Sequence, residues 1–152
     1  MKRNRRAITV GALLVVGAIV LSGCGGSSGK RLSKEQFAAK ANALCSDYQK
    51  KAKALGDPKS TAEAVSMIGK YKELFGKMVV DFKKLKPPAN EQAAVDRTLA
   101  ISKEQLGIND QMIAALKKSD TASFQKLVKK GDAMDTVSNG ILRKLGATTC
   151  AQ

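Results

Sequence analysis

The sequence predicts an all-α protein, an up-down-up-down four-helix bundle. Apolar residues recur at spacings of three and four along four successive stretches, and helix-start and helix-stop residues bracket each stretch. No stretch sustains the period-two alternation of β-branched residues that a strand needs, so no strands are expected.

Ser33-Lys-Glu-Gln36 reads as a capping box opening the first helix, in which Phe37, Ala41, Leu44, Tyr48 and Leu55 share one face before Gly56 and Pro58 end it. Ser60-Thr-Ala-Glu63 reads as a second box. In the helix that follows, Ala64, Ile68, Tyr71, Phe75, Met78, Phe82 and Leu85 alternate spacings of four and three, the strongest periodic signal in the chain. Its three aromatics are expected to supply most of the core volume, and Pro87 and Pro88 stop it. Asn90 is placed to cap a third helix, with Val95, Leu99, Leu106, Met112, Ile113 and Leu116 inward and Ser102 and Asn109 as softer positions on the same stripe. Ser119 or Asp120 then caps a fourth, whose stripe reads Phe124, Leu127, Gly131, Met134, Ser138, Ile141 and Leu145 before Gly146. Four helices of roughly 23 to 28 residues on short links must run antiparallel to their neighbours. Alanines in the first and third helices, and Gly131 in the fourth, are expected to let neighbours approach closely.

Ahead of the bundle, Met1-Lys-Arg-Asn-Arg-Arg6 forms a basic segment followed by an uncharged apolar run from Ala7 to Leu21. At about 15 residues this run falls short of the roughly 20 that span a bilayer, and it ends in small residues, as a cleavable export signal does. Leu21-Ser22-Gly23-Cys24 resembles the bacterial lipobox, which implies lipidation of Cys24 and cleavage just before it. Asn4-Arg5-Arg6-Ala7-Ile8 partly resembles a twin-arginine export signal without the rest of that motif. The expected organisation is a signal peptide over 1–23, a lipidated cysteine with a Gly/Ser tether over 24–32, and a bundle domain with a C-terminal tail over 33–152. The protein is then expected on the extracytoplasmic face of a bacterial cell membrane, held by its lipid.

Cys45 and Cys150 remain, and an oxidising compartment favours pairing them; free thiols or a bridge between chains are the alternatives. In an up-down bundle the fourth helix ends where the first begins, so a tail from Gly146 can reach Cys45, although a fourth helix of the opposite sense could reach it too. Ala41-Asn-Ala-Leu-Cys45, the Leu85-Lys-Pro-Pro88 turn and Leu145-Gly146 shortly before Cys150 together resemble a loose group of small secreted actinobacterial lipoproteins. That resemblance implies the fold and the location, and it supplies no active residues.

Catalysis is not expected. The chain has no His, which removes the commonest general base and transition-metal ligand, and it has no phosphate-binding Gly-rich loop, Gly-x-Ser-x-Gly elbow or Glu-x-x-His pair. No cofactor or metal is called for. Glu73 with Asp81, and Asp132 with Asp135, stand among lysines and read as solvated face positions, while Met67, Met78, Met112 and Met134 read as packing rather than Cu(I) ligands.

Removing the signal segment lowers the formal charge from +14 to +10, because 23 basic residues then face 13 acids. Lysines cluster at helix C-termini, where cations complement the helix dipole. At the tethered end, Lys83, Lys84, Lys86, Arg143 and Lys144 would join Lys30, Arg31 and Lys34 in a basic face toward anionic headgroups. Nucleic acid is disfavoured by compartment and by a mature chain holding 20 Lys against 3 Arg. Two functions follow as expectations. One is a non-catalytic envelope module whose basic surface holds anionic lipid, an envelope polymer or a membrane-protein partner. The other is a carrier or sensor that binds a small or lipidic ligand in an inter-helix groove, hinted at by Ser102, Asn109, Gly131 and Ser138.

Overall fold

A computed structural model describes residues 30–152; the expected signal peptide over 1–23 and Cys24 lie outside the described residues. Four helices follow in order: α1 Lys34–Lys53, α2 Thr61–Lys84, α3 Gln92–Lys117 and α4 Thr121–Lys144. Each packs on the next, giving the expected all-α up-down-up-down bundle, with no strand among the described residues.

The helix ends follow from local chemistry. Ser33 accepts the Gln36 N–H while the Gln36 side chain accepts the Ser33 N–H, a complete capping box. Ser60 accepts the Glu63 N–H, but Glu63 accepts the N–H of Lys59 at 2.7 Å, so the second box closes one residue early. Asn90 does not cap the third helix: it lies inside a 3₁₀ turn, Ala89–Glu91, and α3 starts at Gln92 with no side-chain cap. Pro88, fixed in an extended conformation, hands the chain to that turn instead. Asp120 rather than Ser119 caps α4, accepting the Ser123 N–H at 3.0 Å. Gly146 turns the chain out of α4 at φ +77°, and a Cβ there would stand 3.1 Å from Ala38 Cβ. Both the turn and the close approach require glycine.

Order begins before the expected start at Ser33. The Leu32 N–H donates to Lys86 O at 2.8 Å, and Arg31 donates from Nη1 to Pro87 O at 3.0 Å and to Gln92 Oε1 at 2.8 Å. The incoming chain is thereby fastened to the α2–α3 turn.

The packed core occupies this same end. Phe37, Ala41, Phe82, Val95, Leu142, Leu145, Ala147 and Ala151 are buried together, with Phe37 and Phe82 edge to face at 5.7 Å between centroids. The other half is different, because no residue of 61–81 or 121–137 is buried. Of the three α2 aromatics only Phe82 enters the core; Phe75 is half-buried and Tyr71 is 41% exposed. The expectation that α2 fills the core therefore fails over its N-terminal two thirds.

Closure of the bundle explains the difference. No Cα of α1 comes within 8 Å of one in α4; the tail lies between them, with a 3₁₀ turn at Thr148–Cys150 packed on both helices. Ala147 and Ala151 are small enough to be wholly enclosed there. Above the tail, the gap between α1 and α4 is unfilled.

Candidate functional site

That gap opens into a cavity of about 440 Å³, lined by all four helices and by Cys150 and Gln152 of the tail. Its volume lies within the roughly 300–1,000 Å³ common to small-ligand sites. On α3 the lining runs from Thr98 to Met112, about 21 Å of helix axis at 1.5 Å per residue. Phe82, Thr98 and Leu142 form its floor against the packed core.

The space results from side-chain size at inward positions. Where α4 faces the interior it offers Gly131 and Ser138, and a Cβ added at Gly131 would meet no atom within 4 Å. Gly131 is therefore not a close-packing glycine as expected; its missing side chain enlarges the cavity. Ser102 and Thr98 donate to carbonyls one turn back in α3, at 3.0 Å to Thr98 O and 3.1 Å to Ala94 O, so their hydroxyls reach no neighbouring helix. The four groove positions singled out in the sequence, Ser102, Asn109, Gly131 and Ser138, all line this one cavity.

The wall on the α1–α2 side is aromatic. Tyr48 stands edge to face with Tyr71 at 5.6 Å and tilted to Phe75 at 5.9 Å, and Tyr71 stacks on Phe75 at 6.4 Å. The Tyr48 hydroxyl oxygen is buried and makes no hydrogen bond. Burial pushes its phenol far above the ordinary value, and the neighbouring Tyr71 hydroxyl and Asp135 carboxylate add to the shift.

The opposite rim is acidic. Asp132 and Asp135 line the cavity from α4, and Gln105 of α3 donates from Nε2 to Asp135 Oδ1 at 2.5 Å. Asp135 is exposed as a whole residue at this rim, but the side of its carboxyl turned to the cavity is desolvated, which raises it above the usual range, opposed by the Gln105 hydrogen bond and assisted by Asp132. Both aspartates are exposed, as their reading as solvated positions among lysines expects. Lys129 and Lys130 precede them in the chain, but the space they also face is created by α1 and the tail, which local sequence does not reveal. Tyr48 was missed for a related reason, because periodicity marks an inward position without saying whether a partner meets it.

The other expected sites divide. Cys24 lies outside the described residues. Cys45 and Cys150 are joined, with S–S at 2.03 Å and a sequence separation of 105, and the bridge stands at the cavity margin. Lys30, Arg31, Lys34, Lys83, Lys84, Lys86, Arg143 and Lys144 collect at the end where the chain enters, as the antiparallel order demands. Several are engaged internally: Arg31 with the α2–α3 turn, Lys34 with Glu91 at 3.1 Å, Lys84 with Asp81 at 2.7 Å and Arg143 with Ala151 O at 3.0 Å. Lys30, Lys83, Lys86 and Lys144 have no carboxylate at ion-pairing distance among the described residues.

No protein-family model matches the chain, and no curated protein or solved structure is significantly similar to it.

Proposed function

We propose that this protein is a lipid-anchored extracytoplasmic binding module that holds a small, largely apolar ligand between its four helices. The cavity carries the reading. An amphipathic stripe normally closes on itself, whereas here the stripes of α2 and α4 line a volume of about 440 Å³ beside a fully packed core. The bundle has side chains enough to fill one half and leaves the other lined with aromatics, methionines and a few polar groups, the composition of a ligand site. The absence of His and of any nucleophile–base arrangement in the sequence favours holding over transformation.

Gly131→Phe places a ring in the open space and tests the reading directly. Protein isolated from its own cells should carry a co-purifying small molecule, detected by mass spectrometry of an organic extract, and the Gly131→Phe protein should lose it. Identical extracts from the two would remove the ligand reading. The anchor is tested separately, since Cys24→Ala should abolish fatty-acid labelling and cleavage, and unchanged labelling would remove it from the proposal.

A second reading is favoured by the cations gathered at the end where the chain enters. A basic face there would hold anionic lipid or an envelope polymer, each exposed cation near an anionic surface contributing about 1 kcal/mol. Replacing Lys83, Lys84, Lys86, Arg143 and Lys144 by Gln should then weaken vesicle binding far more than replacing Lys50, Lys51, Lys53, Lys117 and Lys118. Equal losses would reduce it to general electrostatics.

A further inference from the structure

We infer that the ligand is an organic ammonium compound with an apolar body, its charged head at Asp135 and Asp132 and its body along Tyr48, Tyr71 and Phe75. This deepens the ligand-binding reading and rests on it.

The first argument is a local reversal of charge. The mature chain is strongly basic, yet the ionisable side chains lining the cavity, tyrosines aside, are two aspartates against the single Lys53. Lys53 lies in the last turn of α1, where its charge complements the helix dipole. Asp132 and Asp135 are three apart on α4 and so share a face.

The second argument is that these carboxylates are left without a cation in a chain that has cations to spare. Five of the thirteen acids pair with a lysine; Asp132 and Asp135 are among the eight that do not, and they are the two carboxylate side chains of those eight that line the large cavity between the helices. Lys130, a near neighbour in α4, turns to Glu104 at 2.7 Å instead. Gln105 supplies Asp135 with a neutral donor, which fixes the carboxylate without cancelling its charge. A rim that bears uncompensated negative charge on the edge of an apolar cavity is complementary to a cation brought in from outside.

The third argument is the wall itself. Ammonium groups are attracted to aromatic faces within about 6 Å of the ring centroid, most strongly where water is excluded. Tyr48, Tyr71, Phe75, Asp132 and Asp135 all line the one cavity, so the aromatic wall and the acidic rim face the same space. Below them Met78, Leu99 and Leu142 offer apolar surface beside the small hydroxyls of Thr98, Ser102 and Ser138, with no charged group, which suits a hydrocarbon body and not a second charge.

The test compares three water-soluble probes with one body and different heads: hexyltrimethylammonium, 1-hexanol and hexanoate. Binding to the purified full chain in neutral nanodiscs is measured by calorimetry, with empty nanodiscs as the blank. The ammonium probe should bind at least about tenfold more tightly than hexanol, and Asp135→Asn should weaken ammonium binding by far more than hexanol binding, removing most of that preference. Equal binding of ammonium and alcohol, or tightest binding of hexanoate, would overturn the cationic head and leave the ligand reading standing. Binding of none of the three would overturn both. Because Asp135→Asn neutralises a partly desolvated charge, the variant should fold, and Gly131→Phe should abolish binding of all three probes alike.

Discussion

Asn42 grips the tail at two points: its Nδ2 donates to the Gly146 carbonyl at 3.1 Å, and its Oδ1 accepts the Thr149 N–H at 2.8 Å. One side chain of α1 thus satisfies two backbone groups of a segment that has little regular structure of its own, and Gln49 adds a bond to Thr149 O at 2.7 Å. Asn42→Ala strands both groups in a partly buried place, at a cost of about 1–3 kcal/mol. Urea unfolding should show the loss, and hydrogen exchange at the Thr149 amide should accelerate by more than exchange in α3.

The Cys45–Cys150 bridge reinforces the same attachment. Removing a native bridge typically costs about 2–5 kcal/mol. The Cys45→Ser, Cys150→Ser double variant should therefore melt well below the parent protein, and peptide mapping without reductant should recover the linked pair from the parent. Two free thiols in the protein isolated from its own cells would contradict the described pairing.

Gly131 is a helix-interior glycine with open space where a Cβ would be. Gly131→Ala should stabilise the bundle by about 0.5–1 kcal/mol through helix propensity. The opposite expectation, destabilisation, would hold had the residue been needed for helix contact. Denaturant midpoints decide between the two.

The unpartnered Tyr48 hydroxyl leads to an unusual expectation. Tyr48→Phe should leave the unliganded protein equally stable or up to about 1 kcal/mol more stable, because a buried polar group without a partner is unfavourable. If the hydroxyl serves the ligand, the same variant should bind the ammonium probe more weakly. Thermal melts with and without probe separate the two effects.

Asp135 sets a pH dependence whose sign follows from its raised carboxyl. Above that raised value it is charged in both folded and unfolded chains, and the fold bears the desolvation. Below about pH 3.9, the ordinary Asp value, it is neutral in both and the penalty vanishes. Asp135→Asn should therefore be more stable than the parent at neutral pH, with the advantage shrinking as pH falls through the raised value and gone below about pH 3.9. Glu35 and Asp120 act oppositely: hydrogen bonds at helix starts hold their carboxyls low, so their contribution is present above the ordinary carboxylate range and is lost on acidification.

The helices were legible in the sequence because their signals are local. Ser33, Ser60, Asp120 and Gly146 each act within a few residues, and the structure uses all four. Asn90 misled because a preceding double proline offers the chain a 3₁₀ turn that competes with a side-chain cap. The cavity was only half legible. Ser102, Asn109, Gly131 and Ser138 marked weak points on two stripes, but Tyr71 and Phe75 read as core because periodicity gives direction and not distance. Whether an inward ring meets a partner depends on how far α1 stands from α4, and that spacing is set by the tail. Asp135 acquires its character from partial desolvation at the cavity rim and from Gln105, 30 positions away in the chain.

The bond from the Leu32 N–H to Lys86 O, with Arg31 hooked over Pro87, fixes where a leash would be tied. With Cys24 as the anchor proposed above, six residues, 25–30, would span the distance from lipid to domain, at most about 20–22 Å. The cavity begins about 9 Å and ends about 30 Å along the bundle from that attachment. An upright domain would hold its opening clear of the headgroups and collect solutes from the aqueous layer. One that leaned over on the α1–α4 side would press the same opening against the bilayer and draw amphiphiles from it, so posture on so short a leash would select between two reservoirs.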